Sequence, residues 1–334
     1  MAGLKEEIVS IVREVGIDKV GFTSKKRLED TPPSGDLVYI LPSARSAISL
    51  AVALDKAAIR AYLSKEDQMA HVNDHRLSYI KLKEAAKGIQ GLLRNEGYEA
   101  SCPYPNFEYR KGLPFMTMAP PLSHRYVAVA SGVGWLGWSG NVITPEYGAT
   151  VSLSSVVTSA ELEPDPLVEE DSCQDCHLCA VLCPTHFISM KGETRVRIAG
   201  HTYTHNRKAS NLRCLVGCGG ATGISCPDAK WSTWSHRVLD LPRPANDEAF
   251  ERTVLDQSKR PNNQLLMGLL NVEKLELRDW EQFHFFVVHR MSLTCSNCML
   301  VCWSNMKDRK ENYRLLTTSG RVVKDETGLR IVHI

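Results

Sequence analysis

Leu4, Ile8, Ile11, Val12 and Val15 recur at helical spacing and Gly16 follows them, so residues 4–15 predict an amphipathic helix with a stop behind it. Short apolar runs at 20–22, 38–41 and 47–54 predict buried strands. A second helix is predicted over 76–93, with Leu77, Ile80, Ile89, Leu92 and Leu93 inward and Gly97 beyond its end. Residues 101–121 mix proline with aromatics (Pro103, Tyr104, Pro105, Phe107, Tyr109, Pro114, Phe115), which suits an ordered loop lining a pocket. A short helix over 122–131 ends at Gly132, Gly134, Gly137 and Gly140. Val151, Leu153 and Val157 then alternate with polar residues, as in a half-buried strand. At the C-terminus, 321–324 and 329–334 flank Asp325-Glu326-Thr327-Gly328 and predict a hairpin.

Residues 161–171 are acidic and carry Pro164 and Pro166, which marks a boundary. The organisation expected is therefore a first domain over 1–165, a cysteine-rich module over 166–310 with an inserted segment at 190–290, and a terminal hairpin over 311–334. The basic stretch 191–213 reads as a solvated loop, because no interleaved aromatic platform accompanies it; a nucleic-acid partner is not expected. A formal charge of +2 over 334 residues announces no strong electrostatic partner. No run of 18 apolar residues suggests a membrane span. The N-terminus, Met1-Ala2-Gly3-Leu4-Lys5-Glu6-Glu7, has acids where a signal peptide has bases, so a cytoplasmic protein is expected.

Eleven cysteines in such a chain argue for metal ligation over disulfides. Seven fall in two runs, Cys173-x-x-Cys176-x-x-Cys179-x-x-x-Cys183-Pro184 and Cys295-x-x-Cys298-x-x-x-Cys302. The first is the ferredoxin spacing for cubane clusters, in which the fourth cysteine ligates the other cluster. Cys173, Cys176, Cys179 and Cys302 are thus expected on one 4Fe-4S cluster. Cys183, Cys295 and Cys298 are expected on a second, with an eighth thiolate from Cys214, Cys218 as its alternative, or else Cys102 or Cys226. Cys176-His177 matches a c-type haem attachment signature, but the cysteines continue past it. Structural zinc does not account for a four-cysteine run closed by Cys-Pro.

Gly132-Val133-Gly134-Trp135-Leu136-Gly137 has dinucleotide-fingerprint spacing but follows a predicted helix, not a strand. Together with Val142-Ile143-Thr144-Pro145-Glu146-Tyr147-Gly148 and the first cysteine run, it resembles the cobalamin-dependent reductases, comprising the reductive dehalogenases and the epoxyqueuosine reductases of tRNA modification. The resemblance spans about residues 76 to 190 and then the second run. It implies an α+β protein: a nitroreductase-like α/β domain holding a base-off cobalamin, followed by a bacterial ferredoxin-like module with two 4Fe-4S clusters. Candidate cofactor contacts are Tyr79, Gly132, Gly134, Gly137, Asn141, Thr144 and Tyr147. A ferredoxin or flavodoxin would supply electrons.

Three positions depart from the family, one being the second run, which ends Cys302-Trp303 and not Cys-Pro. Met116-Thr117-Met118-Ala119-Pro120 stands where epoxyqueuosine reductases place an aspartate proton donor, and the strand at Ala149-Thr150-Val151-Ser152-Leu153 lacks the dehalogenase arginine. A small-molecule substrate seated over the corrin is therefore expected, with Tyr104 or Tyr109 as proton donor, its phenol lowered by Arg110 and Lys111. His124 and Arg125 are further candidates. Two other readings are an electron-transfer protein that reactivates a partner's corrinoid, and a flavin-dependent reductase.

Overall fold

The computed structural model describes the chain except residues 1, 104–108, 114–116, 207–208, 226–227, 240–241, 243–245, 261–263, 265–267, 269–280, 283–292 and 334. Its centre is a four-stranded antiparallel sheet ordered β1-β2-β6-β3, from β1 (Lys19–Ser24), β2 (Ser46–Ala53), β3 (Ala100–Ser101) and β6 (Val151–Thr158). Strand alternation sorts β2 between two layers. Ile48, Leu50 and Val52 face α1 (Ala2–Val15) and α3 (Gln68–Asn95), while Ala47 and Ala51 face α4 (His124–Ala130). Side chains such as Ile8, Leu82, Ile89 and Ile48 are fully buried in the first layer, each contributing about 1.5–3 kcal/mol.

Gly16, at φ +76°, ends α1 as expected, and its N–H returns to Arg13 O at 3.1 Å. The second helix is longer than its apolar pattern predicts. Asp67 caps it by accepting from Met69 N, and its first two turns bury His71 and Val72. Leu77, expected inward, is 58% exposed, because the buried face runs through Ser78, Tyr79 and Leu82. The run at 38–41 is not a strand. Residues Leu37–Tyr39 form a 3₁₀ turn capped by Asp36, which buries Leu37 alone and leaves Val38 and Tyr39 exposed.

The basic segment is not a loop either. β7 (Glu193–Ile198) and β8 (His201–Asn206) pair as a hairpin whose Val196, Ile198 and Tyr203 pack into the α4 layer. The acidic 161–171 segment is laid along the first strand: Asp165 N donates to Phe22 O at 3.0 Å and Lys5 Nζ meets Asp165 Oδ1 at 2.7 Å.

The remaining elements are β4 (Trp135–Leu136), β5 (Val142–Ile143), α2 (Lys56–Leu63), α5 (Leu178–Val181), α6 (Asn211–Cys218), α7 (Asp247–Ser258), α8 (Asn297–Leu300) and α9 (Met306–Thr318). The terminal hairpin of β9 (Arg321–Asp325) and β10 (Gly328–Val332) forms as predicted, but 311–318 belong to α9, capped by Asn305. A third apolar cluster joins Leu54, Ile59 and Leu63 to Leu182, Leu300, Val301 and Leu316. Asp308 also meets Lys56 and Arg60 at 2.7 Å each. The cysteine-rich segments are thereby docked on α2. No helix among the described residues is long and apolar enough to cross a membrane.

Candidate metal centre

The two cysteine runs fold alike. In each, a cysteine (Cys176, Cys295) is followed by a left-handed residue, His177 at φ +53° or Ser296 at φ +68°. That residue caps a one-turn helix, α5 or α8, carrying the next cysteine, Cys179 or Cys298. A last cysteine, Cys183 or Cys302, follows four residues on. Gln174 and Asp175 are left-handed as well. Non-glycine residues in that region cost on the order of 1–3 kcal/mol each. Such strain, concentrated where the chain wraps around its cysteines, marks a functional segment rather than a packing one.

The structure brings the described cysteines of these segments into two groups. Cys179 faces Cys298 of the second run and also Cys302, Cys173 and Cys176, the last three around a void also lined by Trp138, Ile143 and Arg309. Cys183 faces Cys295 and Cys298, and α6 adds Cys214 and Cys218 one turn apart, their sulfurs 3.7 Å from each other. Cys218 touches both Cys214 and Cys295, so it stands between α6 and the second run. Cys102 is elsewhere: its thiol donates to Ala86 O inside the first core, and burial pushes it up to about 12. Cys226 lies outside the described residues.

Burial comes first, then neighbouring thiols, in pushing Cys298 up to about 12. Cys302 is pushed up to about 12 by burial, against the pull of Arg309. Thiols crowded this way ionise together only if cations join them. Among the described residues no three His, Cys, Asp or Glu converge closely enough to hold one metal ion.

Hydrogen-bond donors point at the sulfurs. Trp138 N donates to Cys173 Sγ at 3.3 Å, Ile188 N to Cys183 Sγ at 3.5 Å, and Asn141 Nδ2 to Cys298 Sγ at 3.7 Å. Trp138 and Asn141 share the tight β4–β5 turn, closed by Gly137 N to Asn141 O at 2.9 Å, so one turn reaches both groups. Such donors raise cluster potentials.

The glycine block serves this turn. A β-carbon on Gly132 would strike the Pro166 carbonyl, one on Gly134 the Ile143 carbonyl, and one on Gly137 the Ile143 side chain. What they approach closely is protein. Thr144 Oγ1 donates to Gly148 O and accepts from Tyr147 N, latching the turn that carries Gly148. Tyr79 is buried in the α1/α3 core, its ring 4.8 Å from His75. Of the residues nominated for a corrin, only Asn141 points toward a cysteine group. Among the described residues, the contacts of the others are with protein.

The expected lowering of the Tyr109 phenol is not seen. Burial pushes its phenol up, and Arg110 does not lower it. The Arg110 guanidinium lies 3.8 Å over the Tyr39 ring and bonds Pro33 O and Pro121 O. Tyr104 lies outside the described residues. His124 is buried with Nδ1 3.0 Å from Ser155 Oγ, and burial holds it down at about 4. Arg125 is exposed on α4. At the departed position, Thr117 O accepts from Asn211 Nδ2 at 2.8 Å, and Met118 packs on Leu212 and Val216 of α6. The cysteine pattern gave no hint of Arg309, seven residues past the last cysteine and fully buried against the first group.

A mixed α and β protein with two cysteine groups set against one tight turn is the class that this fold and site define. Its curated relatives are epoxyqueuosine reductases, so the resemblance drawn from the sequence holds. The chain is 27% identical to that of Bacillus cereus over 218 residues, 57% of this chain and 53% of the relative. It is 28% identical to that of Listeria monocytogenes, over 59% of this chain and 55% of the relative. The chain thus spans about half the length of the curated relatives it matches. No model of a known protein family matches it.

Similar solved structures include an epoxyqueuosine reductase with a tRNA-Tyr epoxyqueuosine-modified stem loop, at 17% identity and TM-score 0.46 over 95% of this chain and 82% of that one. A B12-dependent reductive dehalogenase is similar at 14% identity and TM-score 0.49, over 98% of this chain and 39% of that one. These relatives overturn two expectations. The small-molecule substrate is set aside, because the curated relatives are named epoxyqueuosine reductases. The expectation of no nucleic-acid partner falls with it.

Proposed function

We propose that this chain is an iron–sulfur reductase, of the cobalamin-dependent kind that its relatives suggest, acting on a modified nucleoside carried by tRNA. The observation that carries the reading is the convergence of the two cysteine runs into two groups, with N–H donors on their sulfurs. In this reading Cys173, Cys176, Cys179 and Cys302 hold one 4Fe-4S cluster, and Cys183, Cys295 and Cys298 hold the other with a thiolate from α6. We assign that thiolate to Cys218, because it alone of the α6 pair touches Cys295. A cubane passes one electron at a time. Reductive removal of an epoxide oxygen takes two electrons and two protons and releases water, so two clusters in series suit the demand.

The test is anaerobic reconstitution followed by assay on an epoxyqueuosine-bearing tRNA stem loop. Expected are about eight irons per chain, four per cubane, binding of the stem loop, and loss of one oxygen from the nucleoside by mass when reductant and hydroxocobalamin are supplied. Failure to take up iron would overturn the cluster assignment. Iron uptake with no binding or conversion of the stem loop would overturn the substrate.

A further inference from the structure

Arg309 is fully buried, yet no carboxylate among the described residues pairs with it. Its neighbour Asp308 is drawn off to Lys56 and Arg60 on α2. Instead the guanidinium gathers the backbones of both cysteine runs. Nη1 donates to Cys173 O at 2.7 Å and Nη2 to Ser172 O at 2.6 Å from the first run, while Nε donates to Trp303 O at 2.7 Å just past the second. Nη1 also lies 3.7 Å from Cys176 Sγ, and the guanidinium lines the same void as Cys173, Cys179 and Cys302. Burying an arginine with only carbonyls around it is costly, because the charge leaves water without an opposite charge in return. Carbonyls alone also do not explain its place beside three thiols of one group.

We propose that Arg309 is the counter-cation of the first cluster, a positioning residue that sets this cluster's reduction potential above that of the second; the proposal rests on the cluster assignment above. A cubane with four thiolates is a dianion when oxidised and a trianion when reduced. A fixed positive charge in a low-dielectric site stabilises the reduced form more. Among the described residues the second group has no buried guanidinium bonded into it: Arg213 on α6 turns to Asp247 at 2.7 Å, and Arg125, whose charge acts on Cys298, is exposed on α4. The structure thereby gives the pair of clusters an asymmetry that their nearly identical cysteine spacings do not contain.

The test is an EPR-monitored redox titration of reconstituted wild type, Arg309→Gln and Arg309→Lys, with iron content and circular dichroism measured alongside. The expected result is a tenfold or larger fall in the reduction equilibrium constant of one cluster in R309Q, about 59 mV for one electron. The other cluster stays in place, and R309K stays near wild type because the charge is kept. If R309Q does not load the cluster, loading of R309K at near wild-type potential supports the proposal. An unshifted potential in R309Q, an equal fall in both variants, or loss of the cluster from both would overturn it, since geometry and not charge would then be at work. A wild-type protein that binds no iron would instead sink the cluster assignment itself.

Discussion

Gly148 and Cys302 meet backbone to backbone: a β-carbon on Gly148 would overlap the Cys302 carbonyl, and the next amide, Ala149 N, donates to that same carbonyl at 2.7 Å. The Thr-Pro-Glu-Tyr-Gly block is therefore the seat of the last cysteine of the second run. Its glycine sits at φ +63°, where only glycine is unstrained.

Gly148→Ala adds both left-handed strain and a steric overlap, a destabilisation of roughly 1–3 kcal/mol or more. The expected outcome is a lower melting temperature and loss of about half the bound iron, four of eight in the two-cubane reading, because Cys302 is pushed from the first group. A variant with full iron and an unchanged transition would show that the seat is dispensable.

Serine replacements separate the α6 thiols. Cys218→Ser is expected to cost one cluster and Cys214→Ser to leave both, by iron analysis and EPR of the reduced protein. The reverse pattern would move the ligand to Cys214. Cys102→Ser serves as the control, since its thiol donates to Ala86 O inside the first core; iron loss there would contradict the grouping.

Asn141→Leu removes the amide donor from Cys298 Sγ. Losing a hydrogen bond to a ligand sulfur lowers a cluster's potential, so the second cluster becomes harder to reduce. A redox titration in which its midpoint is unmoved would mean that this contact has no electronic role.

Burial holds three histidines neutral: His71 at about 3, helped by His75, with His75 and His124 each at about 4. Their folded values lie below the unfolded value near 6.5, so unfolding takes up protons between those limits. Their contribution to stability is complete above about pH 6.5 and falls as the pH drops toward 4, by at most about 1.4 kcal/mol per pH unit for each ring. Urea midpoints measured at pH 7 and pH 5 check this. The midpoint should be clearly lower at pH 5, and His124→Gln should narrow the gap. Equal midpoints would show that these rings are not held neutral.

Much of the scaffold was legible because local periodicity dictates it. Leu4 to Val15 with Gly16, the apolar run at 47–54, the alternation along 151–157, and the terminal hairpin each formed where the pattern predicted. Misreadings came where a short apolar run lacked a partner. Val38 and Tyr39 stay at the surface because the Asp36 cap turned the chain before it could pair. Leu77 was assigned inward by extrapolating one helical stripe across a helix whose buried face runs differently. The spacing of the glycine block reveals that backbone comes close; the structure adds that Pro166 and Ile143 are what it comes close to.

The sequence by itself determined that thiols at ferredoxin spacing would have to be held together, and that two runs must cross, since ligand spacing is a local property of the chain. Tertiary structure alone decided the rest. It put Cys214 and Cys218 beside the second run, seated Cys302 on Gly148, and aimed one turn's Trp138 and Asn141 at different sulfurs. It also buried Arg309 against the first group while Asp308 turned away to α2. Those relations join residues far apart in the chain through packing and charge, which no spacing encodes.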